Sequence, residues 1–175
     1  MKKGIKALGM NMEAIRGNGM VYEMNKEYTY NGDDVRCRRS GYHYFNSIRN
    51  VMTLYNLNES RLFECELNGD IFDHIGNIYC TNKIKLVREI TQEEIKTYIE
   101  DNLEDLVNDK DWIIRIEVAI QGYGLDKLID DINYKVRLEV ARQGYGLDKL
   151  INDEEWNVRK EVAKQGYGLD KLVND

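Results

Sequence analysis

The 175-residue sequence contains no proline. Every reversal of the chain must therefore be made by Gly, Asn, Asp or Ser, and the 14 glycines carry the punctuation. Long apolar runs are missing too: nothing approaches the roughly 18 consecutive apolar residues that a membrane-crossing helix needs. The opening Met1-Lys2-Lys3-Gly4-Ile5-Lys6 is basic but has no apolar stretch behind it, so a secretory signal is not expected and a cytoplasmic protein is. Cysteine is scarce. Cys37, Cys65 and Cys80 make an odd count without a close pair, which predicts free thiols in a reducing compartment. Only His43 and His74 supply imidazoles, and structural zinc takes ligands in closely spaced pairs. Among Cys37, His43, Cys65, His74 and Cys80 none is closer than six residues to another, so neither a metal nor another cofactor is expected. A Cys–His nucleophile lacks an accompanying elbow or oxyanion motif.

What is present is unevenly spread. Residues 1–90 carry 13 Lys and Arg against 11 Asp and Glu, and residues 91–175 carry 12 against 20. The two halves thus hold +2 and −8, which sum to the net −6 of the chain. Such a split predicts two units, 1–90 and 91–175. The acidic unit should repel nucleic acid and attract basic surfaces.

The acidic half repeats itself. Gln-Gly-Tyr-Gly-Leu-Asp-Lys-Leu starts at Gln121, Gln143 and Gln165, a period of 22 residues. The register extends to Trp112, Tyr134 and Trp156, to Arg115, Arg137 and Arg159, and to Glu117, Glu139 and Glu161. Val118-Ala119, Val140-Ala141 and Val162-Ala163 complete the unit. Each copy reads as a longer helix over about 110–121, 132–143 or 154–165 and a shorter one over 125–129, 147–151 or 169–173. Asp109, Asp131 and Asp153 stand where a carboxylate can cap the longer helix, and Gly122, Gly144 and Gly166 where a left-handed residue can end it. The shorter helix is too brief to be stable alone and must form by stacking. The Leu pair is three residues apart and no alternating strand follows, which argues against a leucine-rich horseshoe. The expected fold is an α+β N-terminal domain followed by a short all-α solenoid of 22-residue two-helix repeats. A capping helix is expected over 91–102, opened by the capping box Thr91-Gln92-Glu93-Glu94. Repeats should then cover 103–124, 125–146 and 147–168, with a closing half-repeat over 169–175.

Asp131-x5-Arg137-x2-Val140-Ala141, followed by Gly and Leu-x2-Leu, resembles the short helical repeats of the HEAT and leucine-rich-variant class. That resemblance implies a curved rod that binds other macromolecules. Its departures are the 22-residue length and the use of Gly-Tyr-Gly where related repeats often have proline.

Residues 1–90 show no repeat. Short strands are expected at Ile5–Leu8, Met20–Met24, Tyr28–Tyr30, Val35–Arg38, Leu62–Leu67 and Ile84–Ile90, and one helix at Ser47–Tyr55. Lys3-Gly4-Ile5-Lys6-Ala7, Ser40-Gly41-Tyr42-His43, Thr81-Asn82-Lys83-Ile84-Lys85 and Arg88-Glu89-Ile90 resemble a small uncharacterised domain of phages and low-GC Gram-positive bacteria. The resemblance implies a phage or prophage origin, with the host cytoplasm as location, and supplies no chemistry.

The leading expectation is a non-enzymatic protein that binds a host protein, of which an anti-CRISPR-type inhibitor is one form. The acidic solenoid would meet a partner with a basic or nucleic-acid-binding surface. Its Arg column alternates with equally regular carboxylates, so internal Arg–carboxylate pairs are expected, not a nucleic-acid stripe. The aromatic column should pack between copies. Specificity should lie where copies differ: Ile113, Lys135 and Asn157; Ile120, Arg142 and Lys164; and Glu154. Ile113, Ile116 and Ile120 could form an apolar patch that the N-terminal domain covers. A rival enzymatic reading rests on Arg16, His43 and Glu66, whose order resembles ADP-ribosyltransferase folds. There Arg16 or His43 would hold a dinucleotide and Glu66 would orient the attacking group, with the solenoid selecting substrate. A structural virion or assembly part is the third reading.

Overall fold

The computed structural model describes residues 2–15, 19–32, 35, 36 and 40–168, with the side chains of 73–75 left aside. The chain is a β-sheet region followed by several helices, and it divides into two compact units, 1–98 and 99–175.

The first unit holds strands β1 (Lys2–Leu8), β2 (Glu27–Thr29) and β3 (Tyr42–Tyr44), then helix α1 (Ile48–Met52). Strands β4 (Arg61–Leu67), β5 (Ile71–Ile75), β6 (Ile78–Thr81) and β7 (Lys83–Ile90) follow. One sheet has the order β1-β4-β7-β2 and the other β3-β6-β5, with every pairing antiparallel. Only Asn82 separates β6 from β7, and an Ile5↔Phe45 bridge joins β1 to the residue after β3. The pairings therefore close a ring through β1, β4, the bent β7–β6 and β3.

Side-chain alternation fills that ring. Leu8, Tyr42, Tyr44, Phe63, Cys65, Leu67, Ile84 and Leu86 form its core together with Tyr22. Gly4 is required beneath the Tyr44 ring, because a Cβ there would run into Tyr44 Cδ2. Lys6 shares this interior and is only 7% exposed. Its Nζ donates to the His43 carbonyl at 2.7 Å and lies 5.2 Å from the Tyr22 ring centroid. The outward side of β1, β4 and β7 carries alternating charges: Glu64 meets Arg88 at 2.5 Å and Lys3 at 3.9 Å, and Glu66 meets Lys85 at 3.6 Å.

Three expectations for this unit need correction. Met20–Met24 forms only a bridge, Glu13↔Val21, because residues 9–22 bond to one another (Ala14 N–H to Met20 O at 2.9 Å, Tyr22 N–H to Met12 O at 3.0 Å). Val35 and Arg36 are not in a strand, while Cys37 and Arg38 lie outside the described residues. Conversely, β3, β5 and β6 were not expected. Each is five residues or fewer, too short for alternation to register, and forms through non-local pairing. The expected helix shortens to α1, capped by Ser47 Oγ accepting from Asn50 N–H at 3.2 Å.

Helix α2 (Gln92–Asp101) opens with a realised capping box: Thr91 N–H donates to Glu94 at 2.8 Å and Glu94 N–H to Thr91 Oγ1 at 3.2 Å. Short and long helices then alternate: α3 (Leu103–Val107), α4 (Trp112–Ile120), α5 (Leu125–Leu128), α6 (Tyr134–Arg142), α7 (Leu147–Leu150) and α8 (Trp156–Lys164). The closing half-repeat expected over 169–175 lies outside the described residues. Helix α4 packs on α6 and α6 on α8. Their shared core comes from equivalent positions: Ile114, Val136 and Val158; Val118, Val140 and Val162; Leu106, Leu128 and Leu150; Val107, Ile129 and Ile151.

Helices α4 and α6 end in the same Schellman turn. Gly122 N–H donates to Ala119 O at 2.9 Å and Tyr123 N–H to Val118 O at 3.1 Å, and Gly144 and Tyr145 repeat the pattern. Gly122 has φ +79°, a left-handed conformation that disfavours any Cβ. The expected Asp caps are corrected. The long helices start two residues later than expected, and Asp111 and Asn133 accept from the Ile113 and Lys135 N–H groups, both at 3.0 Å. Asp109, Asp131 and Asp153 instead brace the preceding turn, accepting from the N–H of residues 111, 133 and 155 at 2.8–2.9 Å. The Asp131 and Asp153 carboxylates are committed to the arginine column as well.

Candidate functional site

The regular polar residues of the helical unit are spent on holding it together. Arg115 forks onto Asp131 (Nη2 to Oδ1, 2.9 Å), and Arg137 forks onto Asp153 (Nε 2.7 Å, Nη2 2.9 Å). Both ions of the second pair are buried, with 9% and 5% of their side-chain surface exposed. Arg137 Nη1 also donates to Asp131 O and Arg159 Nη1 to Asp153 O, each at 2.8 Å. Arg115, which also donates to Asp109 O, and Arg137 thereby tie their own turns to the next copy. Burial by itself would raise the Asp153 pKa; hydrogen bonds from Arg137 and the Glu155 N–H outweigh it and hold the carboxyl below its ordinary value. A second ladder runs through glutamine: Gln143 Nε2 donates to Ile120 O at 3.4 Å and Gln165 Nε2 to Ala141 O at 2.5 Å. Consecutive Gly-Tyr-Gly corners therefore adjoin.

The residues expected to contact a partner lie on the long helices. Ile113, Lys135, Arg142, Lys164 and Glu154 are exposed, and Asn157 and Ile120 are half-buried. Several are already engaged. Lys135 Nζ stands 4.7 Å from the Trp112 ring centroid, Arg142 pairs with Glu139 at 3.0 Å, Lys164 with Glu161 at 3.0 Å, and Glu154 with Arg137 at 3.2 Å. The aromatic column is only partly packed: Trp156 is 54% exposed, with its own helix's Lys160 at 5.1 Å. Ile132, the copy-to-copy equivalent of Lys110 and Glu154, is 93% exposed.

A row of exposed carboxylates lies elsewhere, on the short helices. Glu104, Asp126 and Asp148 occupy equivalent places on α3, α5 and α7, with Asp105 beside the first, and all four are exposed. Lys127 binds back to Glu104, and Lys149 to Asp130 at 2.5 Å. Asp105, Asp126 and Asp148 have no ion-pair partner among the described residues. A copy-by-copy search for differences passed over this row because its acids repeat. The signal that could have found it is an acid recurring at one place in every short helix, Glu104, Asp126 and Asp148.

In the first unit, the residues of the enzymatic reading are not brought together. His43 is paired across from Cys80 and points away from the core that its neighbours Tyr42 and Tyr44 enter. Glu66 leaves the outward face of the other sheet and meets Lys85. Arg16 lies outside the described residues, as does Cys37. Cys65 and Cys80 are buried thiols outside any disulfide, and burial pushes the Cys65 thiol up to about 12, away from thiolate chemistry.

A family model described as a domain of unknown function (DUF7666) matches residues 2–98. The chain belongs to that family. The DUF7666 match coincides with the first compact unit, so its carboxyl boundary falls inside α2, at the break between units. No curated protein and no solved structure matches the chain. Among the described residues, no helix is long and apolar enough to cross a membrane.

Proposed function

We propose that this DUF7666 protein is a non-enzymatic binding protein whose helical unit is a short α-solenoid of the HEAT-like kind. It grips a protein partner along the carboxylate row of its short helices. The observation that carries this reading is the division of labour among side chains. The Arg, Asp, Gln and Val-Ala columns are consumed by copy-to-copy packing, while Asp105, Asp126 and Asp148 face solvent without ion-pair partners among the described residues. Exposed carboxylates at a fixed spacing favour a basic protein surface over nucleic acid, whose phosphates they repel. A nucleic-acid-binding host protein fits that chemistry, as would suit a phage-borne inhibitor.

The immobilised full chain and its Asp105→Lys/Asp126→Lys/Asp148→Lys variant decide the matter in parallel capture experiments from host lysate. A partner retained by the first, lost by the second and eluted by salt supports the reading. Equal retention on both, or loss only with Lys135→Glu/Lys164→Glu, overturns it in favour of the long-helix face.

A further inference from the structure

A cleft of about 320 Å³ opens in the DUF7666 unit, remote in sequence from the helical repeats. One wall is the turn at 9–15 and the other the turn at 54–60. Both are built by specific bonds. Gly9 N–H donates to Glu13 O at 2.9 Å, Glu13 N–H to Asn11 Oδ1 at 3.2 Å, and Asn58 N–H to Asn56 Oδ1 at 2.8 Å. Met12 holds φ +67°, a left-handed conformation uncommon outside glycine that the flanking bonds impose. The cleft is thus pre-formed, which lowers the entropy a ligand must overcome.

Its lining combines two chemistries. Ala14, Ile15, Leu54 and Tyr55 supply apolar surface, and Ile15 is 39% exposed, with Met10, 64% exposed, in the same turn. Glu13 and Glu59 line it as well; both are exposed, and neither carboxylate has an ion-pair or hydrogen-bond partner among the described residues. The nearby cation, Arg61, reaches the Met10 carbonyl at 3.4 Å but is neutralised by Glu89 at 2.6 Å. A cleft whose lining is as polar as it is apolar, with Asn11, Asn56 and Ser60 among its walls and two carboxylates unpaired among the described residues, selects for an apolar side chain with positive charge beside it.

We propose that this cleft is a docking site for a partner polypeptide, taking one aliphatic or aromatic side chain between lysine or arginine neighbours. The site is independent of the carboxylate row on the helical unit, and either can fail alone.

The test is methyl NMR of the full chain titrated with the peptide Ac-Lys-Phe-Leu-Arg-NH2 and its charge-inverted form Ac-Glu-Phe-Leu-Glu-NH2. Saturable shifts at Met10, Ile15 and Leu54 are expected with the basic peptide. The inverted peptide should bind at least roughly fivefold more weakly, the scale of two exposed ion pairs. Glu13→Gln/Glu59→Gln should bring the two peptides close to parity, and Ile15→Arg should abolish binding while leaving the other methyl resonances in place. Equal binding of both peptides, shifts confined to Leu125 and Leu147, or no shift at millimolar peptide would overturn the proposal.

Discussion

The two units solve the same problem with opposite connectivity. In the DUF7666 unit Lys2 pairs with Leu67 and Ile5 with Glu64, so the ring closes only when distant segments meet. In the helical unit Arg137 reaches Asp153 and Gln143 reaches Ile120, always to the adjoining copy. The first arrangement can surround a single irregular interior, even one holding a lysine. The second can only repeat an interface, so whatever it buries must work at every copy. Non-local closure also carries a larger entropy of ordering, so the helical unit should form faster and the ring later.

The sharpest break of that contrast is at the arginine column. Arg137→Ala would strand the buried Asp153 carboxylate and remove the tie to Asp131 O, costing roughly 3–5 kcal/mol of helical-unit stability. Urea unfolding followed by circular dichroism reads this, and a loss under about 1 kcal/mol would mean that the ladder is decorative. The double variant Arg137→Met/Asp153→Leu should recover most of the loss.

Next comes a pair of glycines with similar dihedral angles but different surroundings. Gly146 has φ +61° and a Cβ there would strike Ile129 Cδ1, whereas Gly122 has φ +79° and open space. Gly146→Ala should cost about 3 kcal/mol, strain plus overpacking, and Gly122→Ala only about 1. Equal melting shifts for the two would show that backbone strain alone sets both.

In the ring the expected sign reverses. Burial lowers the Lys6 pKa from 10.5 to about 8, so below pH 8 the folded state holds a charge it disfavours. The unfolded chain binds more protons between about 8 and 10.5, and stability rises with pH across that window. Lys6→Met should therefore stabilise the protein at pH 7 by about 2 kcal/mol, roughly 3 of relieved desolvation less about 1 for the His43 carbonyl. That gain should shrink to nothing or reverse above pH 10.5; a gain independent of pH would mean that the amine keeps its ordinary pKa in the fold. The smallest effect belongs to Ile132→Ser, at a 93% exposed position, where thermal unfolding should move by less than about 0.5 kcal/mol.

Legibility in the sequence follows the same divide. The long helices, their Gly122 and Gly144 stops and the buried Val-Ala columns could be read directly, since equivalent residues recur every 22 positions. The caps were misplaced by two residues because Asp109, Asp131 and Asp153 suit a cap chemically, but each accepts from the turn before the helix, and the arginine of the neighbouring copy claims Asp131 and Asp153. In the ring, β1, β4 and β7 were visible as alternating strands, but β3 and β6 exist because β1 and β7 are there to hold them. The carboxylate row and the 9–15/54–60 cleft escaped notice for related reasons. One repeats where differences were sought, and the other joins turns some 40 residues apart.

Sequence alone determined the period, where the long helices stop and which faces must be buried, because helical structure is governed by neighbours three, four or 22 residues away. The tertiary structure alone decided that Lys6 lies inside a closed ring, that His43 and Glu66 leave from different sheets, and that Glu13 and Glu59 line one cleft. Those outcomes depend on which distant segments pair, and strand pairing leaves no local trace in the residues that undergo it.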